Sequence, residues 1–342
     1  MKKIRIAING FGRVGRAFFR LAEAHPDLEV VAVNDLAEIQ NLSYLLKYDS
    51  VYGRASFPVE VVKDGIVVNG RKVLFSAEKE ISKLPWKDVG VDIVIESTGV
   101  FNDFEKASAH ITAGAQRVVI TAPAKGESPA GVTSATVLMG INDEKLKTCQ
   151  VSANASCTTN ATSPIIAILD EAIGIEKAIL STTHAYTATQ AIVDGISKKD
   201  VREGRAAAQN IIPSSTGAAI AITQVYESLK GKFDGISLRV PVPAGSVADI
   251  TFIAKRPTTV EEVNDILRKA SADPRWAGIF MATDEELVSS DIIGETYGAI
   301  ADLSMTRVVD GNLVKVLSWY DNEMGYVQTV MLHVLESGKH LS

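Results

Sequence analysis

The stretch Gly10-Phe11-Gly12-Arg13-Val14-Gly15 decides how the first half of the chain folds. It lies between an apolar run, 4–8, that predicts a buried strand and an amphipathic run, 14–24, that predicts a helix ending before Pro26. Glycines at this spacing permit a tight turn and let the backbone approach a pyrophosphate, whose charge meets the helix N-terminus. The pattern predicts that Gly10, Gly12 and Gly15 contact a dinucleotide.

Asp35 supports this interpretation, since it lies 20 residues after Gly15 and follows a second predicted strand, 30–33. A carboxylate in that position accepts hydrogen bonds from the ribose hydroxyls of NAD and repels the 2′-phosphate of NADP. The alternative is an ordinary glycine-rich turn. Because strand, turn, helix and acidic residue occur in the required order, we favour NAD binding.

The same alternation continues through the first half, with strands predicted at 91–95 and 118–120 and a helical segment at 104–113. Short strands that alternate with helices are typical of an α/β unit with a parallel sheet. We therefore expect an N-terminal Rossmann domain over residues 1–156.

After Cys157 the pattern changes to a helix that runs to about residue 172, a strand at 178–183 and then longer strands. These are predicted at 236–240 and 247–254, and as a hairpin, 306–309 and 313–318, that turns at Asp310-Gly311. Residues 157–321 therefore form a predicted α+β domain with a mainly antiparallel sheet. A last helical segment begins near residue 322 and could return to the first domain.

Composition excludes several classes of protein. The 342 residues include 35 Lys and Arg against 41 Asp and Glu, a net charge of −6, which disfavours nucleic acid as the main partner. Two stretches without charged residues, 148–169 and 206–226, are too polar to span a membrane. The N-terminus lacks the features of a signal peptide, and two cysteines make neither a disulfide framework nor a four-ligand zinc site. We expect a cytoplasmic protein without a metal site.

One of those cysteines has the setting of a nucleophile. Cys157 precedes a predicted helix, whose N-terminal N–H groups and dipole stabilise a thiolate. His184 follows 27 residues later at the end of a strand, and could form a thiolate–imidazolium pair with Cys157 as a general base. The residues alone leave open a second interpretation, an inert buried thiol and a structural histidine.

Several hydroxyl groups nearby have the chemistry of an anion site. They lie at 187–190 and 214–217, and Arg239 follows them in a predicted strand. Hydroxyls and backbone N–H groups donate hydrogen bonds, and a guanidinium binds phosphate oxygens in a bidentate manner. Each of these groups taken singly also fits a loop residue or half of an ion pair.

Four long motifs carry a resemblance that covers essentially the whole chain. They are Ile8-Asn9-Gly10-Phe11-Gly12-Arg13-Val14-Gly15-Arg16, Glu96-Ser97-Thr98-Gly99-Val100-Phe101, Ser152-Ala153-Asn154-Ala155-Ser156-Cys157-Thr158-Thr159-Asn160 and Trp319-Tyr320-Asp321-Asn322-Glu323-Met324-Gly325-Tyr326. In these motifs the sequence resembles the phosphorylating glyceraldehyde-3-phosphate dehydrogenases. The resemblance implies a Rossmann domain completed by a C-terminal helix, 322–342, and a catalytic domain over 157–321.

The resemblance also implies a role for each matching residue. Cys157 would be the nucleophile and His184 its base. Cofactor contacts would come from Arg13, Val14, Asp35 and Thr121, and from Asn322, which would orient the nicotinamide carboxamide. Ser156, Thr158, Thr216 and Gly217 would bind the attacking inorganic phosphate, and Thr187 and Arg239 the phosphate of the substrate.

The reaction implied is the NAD-dependent oxidation of glyceraldehyde 3-phosphate to 1,3-bisphosphoglycerate with inorganic phosphate, by a homotetramer in glycolysis or gluconeogenesis. In the family a loop corresponding to about 186–205 lies near the cofactor of a neighbouring subunit. Here Gly195-Ile196-Ser197 matches neither the NAD-type nor the NADP-type pattern of that loop, so use of NADP is not excluded. Two alternatives remain, an erythrose-4-phosphate dehydrogenase and a non-catalytic NAD-binding paralogue.

Overall fold

The computed structural model describes residues 3–197 and 200–341, which pack as two compact units. The first unit consists of residues 3–155 and 330–341, and the second of the described residues from 156 to 329. Each unit has its own sheet.

In the described part of the first unit, nine strands form one sheet, and two very short strands form a separate hairpin. The order across the large sheet is β10-β11-β9-β8-β1-β2-β7-β6-β5. The bounds are β1 (Ile4–Asn9), β2 (Leu28–Asn34), β3 (Tyr48–Asp49), β4 (Gly53–Arg54), β5 (Val59–Val62), β6 (Gly65–Val68), β7 (Arg71–Ser76), β8 (Ile93–Glu96), β9 (Arg117–Ile120), β10 (Ser134–Thr136) and β11 (Val151–Ala153).

The strands from β10 to β7 in this order are parallel, as the sequence predicted for β1, β2, β8 and β9. Parallel strands are buried on both faces, which explains their continuous runs of β-branched residues. The helices of the unit are α1 (Arg13–Ala24), α2 (Ile39–Lys47), α3 (Trp86–Val89), α4 (Phe104–Ala107) and α5 (Ala109–Thr112). The segment predicted as one helix over 104–113 is therefore two short helices.

The antiparallel edge of this sheet was missed by the sequence interpretation. Strands β5, β6 and β7 form two successive hairpins, and β6 turns into β7 at Asn69 and Gly70. Both turn residues have positive φ, 48° and 77°, as a two-residue hairpin turn requires. The Asn-Gly pair between two β-branched runs was the signal for this hairpin.

The sheet of the second unit has seven described strands in the order β13-β14-β12-β15-β18-β17-β16. The pairs β12–β14 and β16–β17 are parallel and the other four are antiparallel, so the predicted mainly antiparallel sheet is confirmed. The strands are β12 (Ile175–Ala185), β13 (Ile212–Ser215), β14 (Phe233–Val240), β15 (Ser246–Ala254), β16 (Phe280–Thr283), β17 (Ala299–Val309) and β18 (Leu313–Tyr320).

Helices cover one face of this sheet. They are α6 (Cys157–Ile173), α7 (Ala218–Val225) and α8 (Val260–Ser271). The chain then ends with a further helix, α9 (Met324–Gly338). Short 3-10 turns occur at Ile81–Lys83, Asp143–Lys147, Val201–Gly204, Glu227–Leu229 and Pro274–Trp276. The opposite face exposes apolar side chains, which include Ile179, Ile236 and Leu313.

The division between the units differs slightly from the boundaries expected from the sequence, 156/157 and 321/322. By packing, the chain changes unit between Ala155 and Ser156 and again within α9, between residues 329 and 330. The first turn of α9 belongs to the second unit, and there the helix backbone at Gly325 lies directly against the backbone of Tyr297.

A search of the described residues for membrane-crossing helices gave none with the necessary length and apolar character. The same residues contain no cluster of three or more His, Cys, Asp or Glu side chains suited to a metal ion.

The close packing of the glycine-rich turn can be tested with a matched pair of alanine variants. A Cβ added at Gly15 would lie 2.2 Å from the Gly10 carbonyl oxygen, whereas one at Gly12 would meet nothing within 4 Å. We expect Gly15→Ala to lower the free energy of unfolding by about 1–3 kcal/mol and Gly12→Ala to leave it nearly unchanged. The midpoints of thermal unfolding measure the difference, and equal midpoints would contradict the packing described.

Candidate active site

Two strand ends and the glycine-rich turn form a polar cleft in the first unit. The Phe11 N–H donates to Asp35 Oδ2 (2.7 Å) and the Ala37 N–H to Asp35 Oδ1 (2.9 Å), so the carboxylate is fixed beside the turn. Gly10 has a φ of +93°, and a Cβ there would lie 2.5 Å from the Thr98 nitrogen. Only glycine fits this position.

The cleft has a volume of about 380 Å³ and is lined by Gly10, Gly12, Asp35, Ser97 and Thr98, among others. Gly12 is the N-cap of α1 and supplies no side-chain cap, so the helix presents backbone N–H groups there. Helix N–H groups suit a pyrophosphate and the fixed carboxylate suits ribose hydroxyls, so the donors and acceptors of the cleft fit a dinucleotide.

The other expected cofactor residues of this unit lie near the same edge. Val14 is the second residue of α1, and the Arg13 guanidinium turns away to pair with Asp49 (2.9 Å). Thr121 follows β9, and its hydroxyl donates to the Glu96 carbonyl oxygen (3.1 Å). Arg13 can therefore contact an anion at the helix start through its backbone N–H but not through its guanidinium.

A buried carboxylate beneath the cleft was not predicted. Glu96 is 1% exposed and accepts hydrogen bonds from Asn9 Nδ2 (2.6 Å), the Thr98 N–H (2.9 Å) and the Thr98 hydroxyl (2.5 Å). His110 Nε2 lies 3.1 Å away, and Trp86 Nε1 donates to His110 Nδ1 (2.9 Å). Since Nδ1 accepts from Trp86, the ring N–H that donates to Glu96 is the one on Nε2. The signal in the sequence was an acidic residue directly after a fully apolar strand.

Cys157 is the first residue of α6 in the second unit. The Ser156 hydroxyl caps this helix by accepting from the Thr159 N–H (3.1 Å), as serine commonly does at an N-cap. The chain enters from Ala155, a non-glycine residue with a φ of +54°. Such left-handed backbone costs about 1–2 kcal/mol and is often found beside functional residues.

The structure brings Cys157, His184 and Arg239 together. His184 lies near the end of β12, where the parallel register pairs it with Arg239 of β14. The Cys157 Sγ is 3.4 Å from His184 Nε2, and on the other side of the ring an Arg239 N–H donates to His184 Nδ1. Nucleophile and base candidates are therefore in direct contact, a relation that 27 residues of sequence separation could not establish.

Burial opposes charge on both members of the pair. It raises the pKa of the Cys157 thiol, an effect only partly offset by the Arg239 charge and by hydrogen bonds from Thr158. Burial, reinforced by the Arg239 charge, lowers the pKa of His184 to about 3. Burial therefore favours a neutral thiol and a neutral imidazole in this arrangement, whereas the sequence suggested a thiolate–imidazolium pair.

Tyr320, at the end of β18, is a second residue that sequence reasoning missed. Its hydroxyl hydrogen-bonds with the hydroxyls of Thr158 (2.9 Å) and Thr182 (2.8 Å), and its ring packs edge-on against His184 with centroids 5.9 Å apart. Burial raises the pKa of Tyr320, so the hydroxyl stays protonated. It thereby fixes both the histidine ring and Thr158. Its place in the quoted Trp-Tyr-Asp-Asn motif was the available signal.

Asn322 is held in one orientation by a short relay. The Ala185 N–H donates to the Ser246 hydroxyl (3.1 Å), which donates to Asn322 Oδ1 (3.0 Å). The amide oxygen is thus occupied, and the amide nitrogen is left as the donor toward a ligand. A nicotinamide carboxamide oxygen suits that donor.

The residues expected to bind phosphate lie on several different elements of the second unit. Thr187 follows β12, and its hydroxyl bonds to Thr189 (3.0 Å). Thr216 and Gly217 follow β13 and begin α7, where the Thr216 hydroxyl accepts from the Ala218 N–H (3.2 Å). Among the described residues, no hydrogen bond joins these three to Cys157 or His184.

The sequence of both units matches one family of proteins. Residues 4–104 match the family model described as "Glyceraldehyde 3-phosphate dehydrogenase, NAD binding domain", and residues 156–322 match that of the C-terminal domain. The chain belongs to the glyceraldehyde-3-phosphate dehydrogenase family.

Curated relatives agree over nearly the full length. The chain is 49% identical to a glyceraldehyde-3-phosphate dehydrogenase of Thermotoga maritima, with 96% of this chain and 97% of the relative covered. It is 47% identical to one of Geobacillus stearothermophilus, with 96% of each covered. It is 43% identical to a cytosolic one of Leishmania mexicana, with 98% and 99% covered.

The neutral state of His184 predicts a pH effect on stability. Its folded pKa of about 3 lies below the value of 6.5 for an unperturbed histidine, so between these values only the unfolded chain binds the proton. The contribution of His184 to the free energy of unfolding is therefore complete above pH 6.5 and declines as the pH falls toward 3. We expect His184→Asn to reduce this slope by about 1.4 kcal/mol per pH unit. Urea unfolding at pH 6.5 and 4.5 gives the free energy of unfolding of both proteins. An equal change between the two pH values in wild type and variant would contradict the neutral state of His184.

Proposed function

We propose that this protein oxidises D-glyceraldehyde 3-phosphate to 1,3-bisphosphoglycerate, with NAD as hydride acceptor and inorganic phosphate as second substrate, in glycolysis or gluconeogenesis. The observation that carries the proposal is the 3.4 Å contact between Cys157 Sγ and His184 Nε2 in a chain whose two halves match both models of the family. The relatives described above bear the name of this activity.

The first chemical step is addition of the Cys157 sulfur to the aldehyde carbon. Its proton passes to His184 Nε2, and the carbonyl electron pair moves to oxygen as the S–C bond forms. The resulting oxyanion accepts hydrogen bonds from His184 and from the Cys157 N–H at the start of α6. NAD, when bound, supplies the acceptor for the hydride that leaves the thiohemiacetal carbon.

Loss of hydride leaves a thioester on Cys157, which is an activated acyl group. Phosphate attacks its carbonyl carbon, and the thiolate leaves with the S–C electron pair. Ser156, Thr158, Thr216 and Gly217 are our candidates to bind this phosphate, and Thr187 and Arg239 to bind the phosphate of the substrate. Cysteine suits both steps because its thiolate is a good nucleophile and a good leaving group.

Charges around the cofactor cleft favour NAD over NADP. Asp35 would accept the ribose hydroxyls, and with Glu78 it adds two carboxylates to the lining, against the single cation of Lys79. A 2′-phosphate would therefore meet net negative charge. Gly10, Gly12, Arg13, Val14, Gly15 and Thr121 are the further candidates from the first unit, and Asn322 would orient the carboxamide.

Neither alternative is favoured by a specific observation. The relatives described above are named for the triose phosphate rather than for erythrose 4-phosphate. A non-catalytic paralogue has no need to keep a thiol and an imidazole in contact at a helix start.

The direct test is NADH formation from glyceraldehyde 3-phosphate, with erythrose 4-phosphate, NADP and omission of phosphate as comparisons. We expect the highest kcat/KM with the triose phosphate and NAD, and turnover only when phosphate is present. No NADH from the triose phosphate would refute the proposal.

Two cysteine variants make the assay specific. Cys157→Ser should abolish turnover, because an alkoxide leaves poorly from the acyl enzyme, while NAD binding measured by calorimetry stays unchanged. Cys149→Ser is the matched control and should stay active, since Cys149 is a buried residue outside the contacts described. Full activity in the Cys157 variant would show that Cys157 is not the nucleophile.

We also propose a homotetramer in the cytoplasm. A reduced Cys157 requires a reducing compartment. Apolar residues lie exposed on the open face of the second sheet and in the loop that follows β12, among them Ile192, Val193 and Ile196. Lys198 and Lys199 of that loop lie outside the described residues. Such exposed apolar surface is typical of an interface.

A lysine on the open sheet face tests the assembly. Ile179 and Val288 are each 59% exposed, but only Ile179 lies on that face. We expect Ile179→Lys to shift the protein to a smaller oligomer, because an interface would bury the new charge without a partner. Val288→Lys should leave the mass unchanged. Light scattering after gel filtration gives both masses, and a tetramer in the Ile179 variant would exclude this face.

A further inference from the structure

Glu96 and three other polar residues form a row across the carboxyl ends of four neighbouring parallel strands. The register pairs Asn9 of β1 with Glu96 of β8 on one side and with Asn34 of β2 on the other. Asn34 is paired in turn with Ser76 of β7. This polar row runs beneath the cleft of the first unit, since Asn9 and Asn34 are among the residues that line it.

Each donor along the polar row points toward Glu96. The Ser76 hydroxyl donates to Asn34 Oδ1 (3.0 Å), Asn34 Nδ2 to Asn9 Oδ1 (2.8 Å), and Asn9 Nδ2 to Glu96 Oε2 (2.6 Å). Asn34 also fixes the backbone of Glu78, whose N–H donates to Asn34 Oδ1 (2.8 Å) and whose carbonyl oxygen accepts from Asn34 Nδ2 (2.9 Å). The row therefore ties one wall of the cleft, residues 76–78, to Glu96 Oε2.

The other oxygen of Glu96 holds a second wall. Oε1 accepts from the N–H of Thr98 (2.9 Å) and from its hydroxyl (2.5 Å), which in turn accepts from the Val100 N–H (3.1 Å). The turn 97–100 follows β8 and residues 76–78 end and follow β7, and β1 and β2 lie between these strands in the sheet. Each oxygen of Glu96 thus serves a different wall of the cleft.

His110 adds a further donor to Oε2. Its Nε2 is 3.1 Å from Glu96 Oε2 and 3.5 Å from Asn9 Nδ2. Nδ1 is occupied by the N–H of Trp86 (2.9 Å), so Nε2 carries the N–H and donates to Glu96. Two donors therefore converge on each oxygen of the carboxylate.

A negative charge is unfavourable at this place unless both oxygens are needed. Glu96 is 1% exposed and forms no ion pair with a Lys or Arg among the described residues, and the cleft above it suits an anionic pyrophosphate. An amide of the same shape has one acceptor oxygen, so it can hold only one of the two walls whichever way it turns. The requirement for two acceptors accounts for a buried carboxylate beside the site of a negatively charged ligand.

We propose that Glu96 is the positioning residue of the cofactor cleft: one oxygen holds the turn 97–100, the other holds the polar row that ends at residues 76–78, and together they set the affinity of the cleft for NAD. The inference rests on the proposed function, because it takes this cleft as the binding site of NAD. Glu96 acts through Thr98 and Asn9, and its own side chain is buried beneath the cleft.

Glu96→Gln is the direct test, because it keeps the size of the side chain and removes one acceptor. The wall that loses its acceptor has to turn its donors to water, so the cleft changes shape. We expect the Kd for NAD, measured by calorimetry on the full-length protein, to rise about tenfold. ADP-ribose lacks the nicotinamide and should lose the same factor, because Glu96 acts on the first unit.

Asp92→Asn is the matched control. Asp92 directly precedes β8, at the amino end of the strand that Glu96 ends, and is 7% exposed. Its two oxygens accept from the Arg5 N–H (2.9 Å) and from Gln116 Nε2 (2.9 Å), so its amide variant also deprives a buried donor of its acceptor. We expect both variants to lower the midpoint of thermal unfolding, and only Glu96→Gln to raise the Kd for NAD.

Kinetics separate positioning from a general loss of structure. In the proposed reaction Glu96→Gln should raise the KM for NAD and leave kcat at saturating NAD within about twofold, because Glu96 contacts neither Cys157 nor His184. If Glu96→Gln does not fold, Thr98→Val removes one donor from Oε1 without changing the carboxylate. That variant should raise the Kd for NAD about threefold, since the Thr98 N–H still donates.

Four results would overturn the assignment. They are a wild-type Kd for NAD in Glu96→Gln, an equal loss of affinity in Asp92→Asn, a loss for NAD without one for ADP-ribose, and a wild-type Kd in Thr98→Val. Failure of the proposed function appears separately, as a wild-type protein that binds NAD but forms no NADH from glyceraldehyde 3-phosphate.

Discussion

The burial of His184 is the constraint on which the chemistry of the second unit depends. The ring lies between a thiol, a guanidinium and the edge of the Tyr320 ring, and this environment keeps it uncharged. An uncharged pair of thiol and imidazole is stable in a buried site, since neither group needs a counter-ion. Charge separation is then confined to the moment when an aldehyde carbon is present to accept the sulfur. The N–H groups at the helix start, at Cys157, then donate hydrogen bonds to the oxyanion that forms.

Much of the fold could be predicted because its signals are local. The glycine-rich turn, the β-branched strands beside it and the Asp310-Gly311 turn each depend on a few consecutive residues. The antiparallel edge strands were missed because they are short and half exposed, so their periodicity is weak. The division of α9 between the two units could not be predicted, since it depends on which parts of the fold each turn packs against and not on helix propensity.

The candidate site was predicted unevenly for a related reason. Residue types and flanking elements singled out Cys157, Asp35 and the glycines, because helix starts and strand ends can be read locally. Contact between Cys157 and His184 depends on how α6 packs on β12, which no spacing reveals. Tyr320 and Glu96 were missed because they act through neighbours inside the protein. Their chemistry became visible only with their hydrogen bonds.

The bonds to Glu96 have a consequence for how tightly a ligand can be held. Asn9, Thr98 and His110 already direct their donors to one buried carboxylate, so the strand ends around the cleft are in place before anything binds. Ordering a side chain on association costs about 0.5–1.5 kcal/mol, and here much of that conformational entropy has been lost during folding. A cleft made rigid in this way can bind and release the same molecule many times with little rearrangement of its walls.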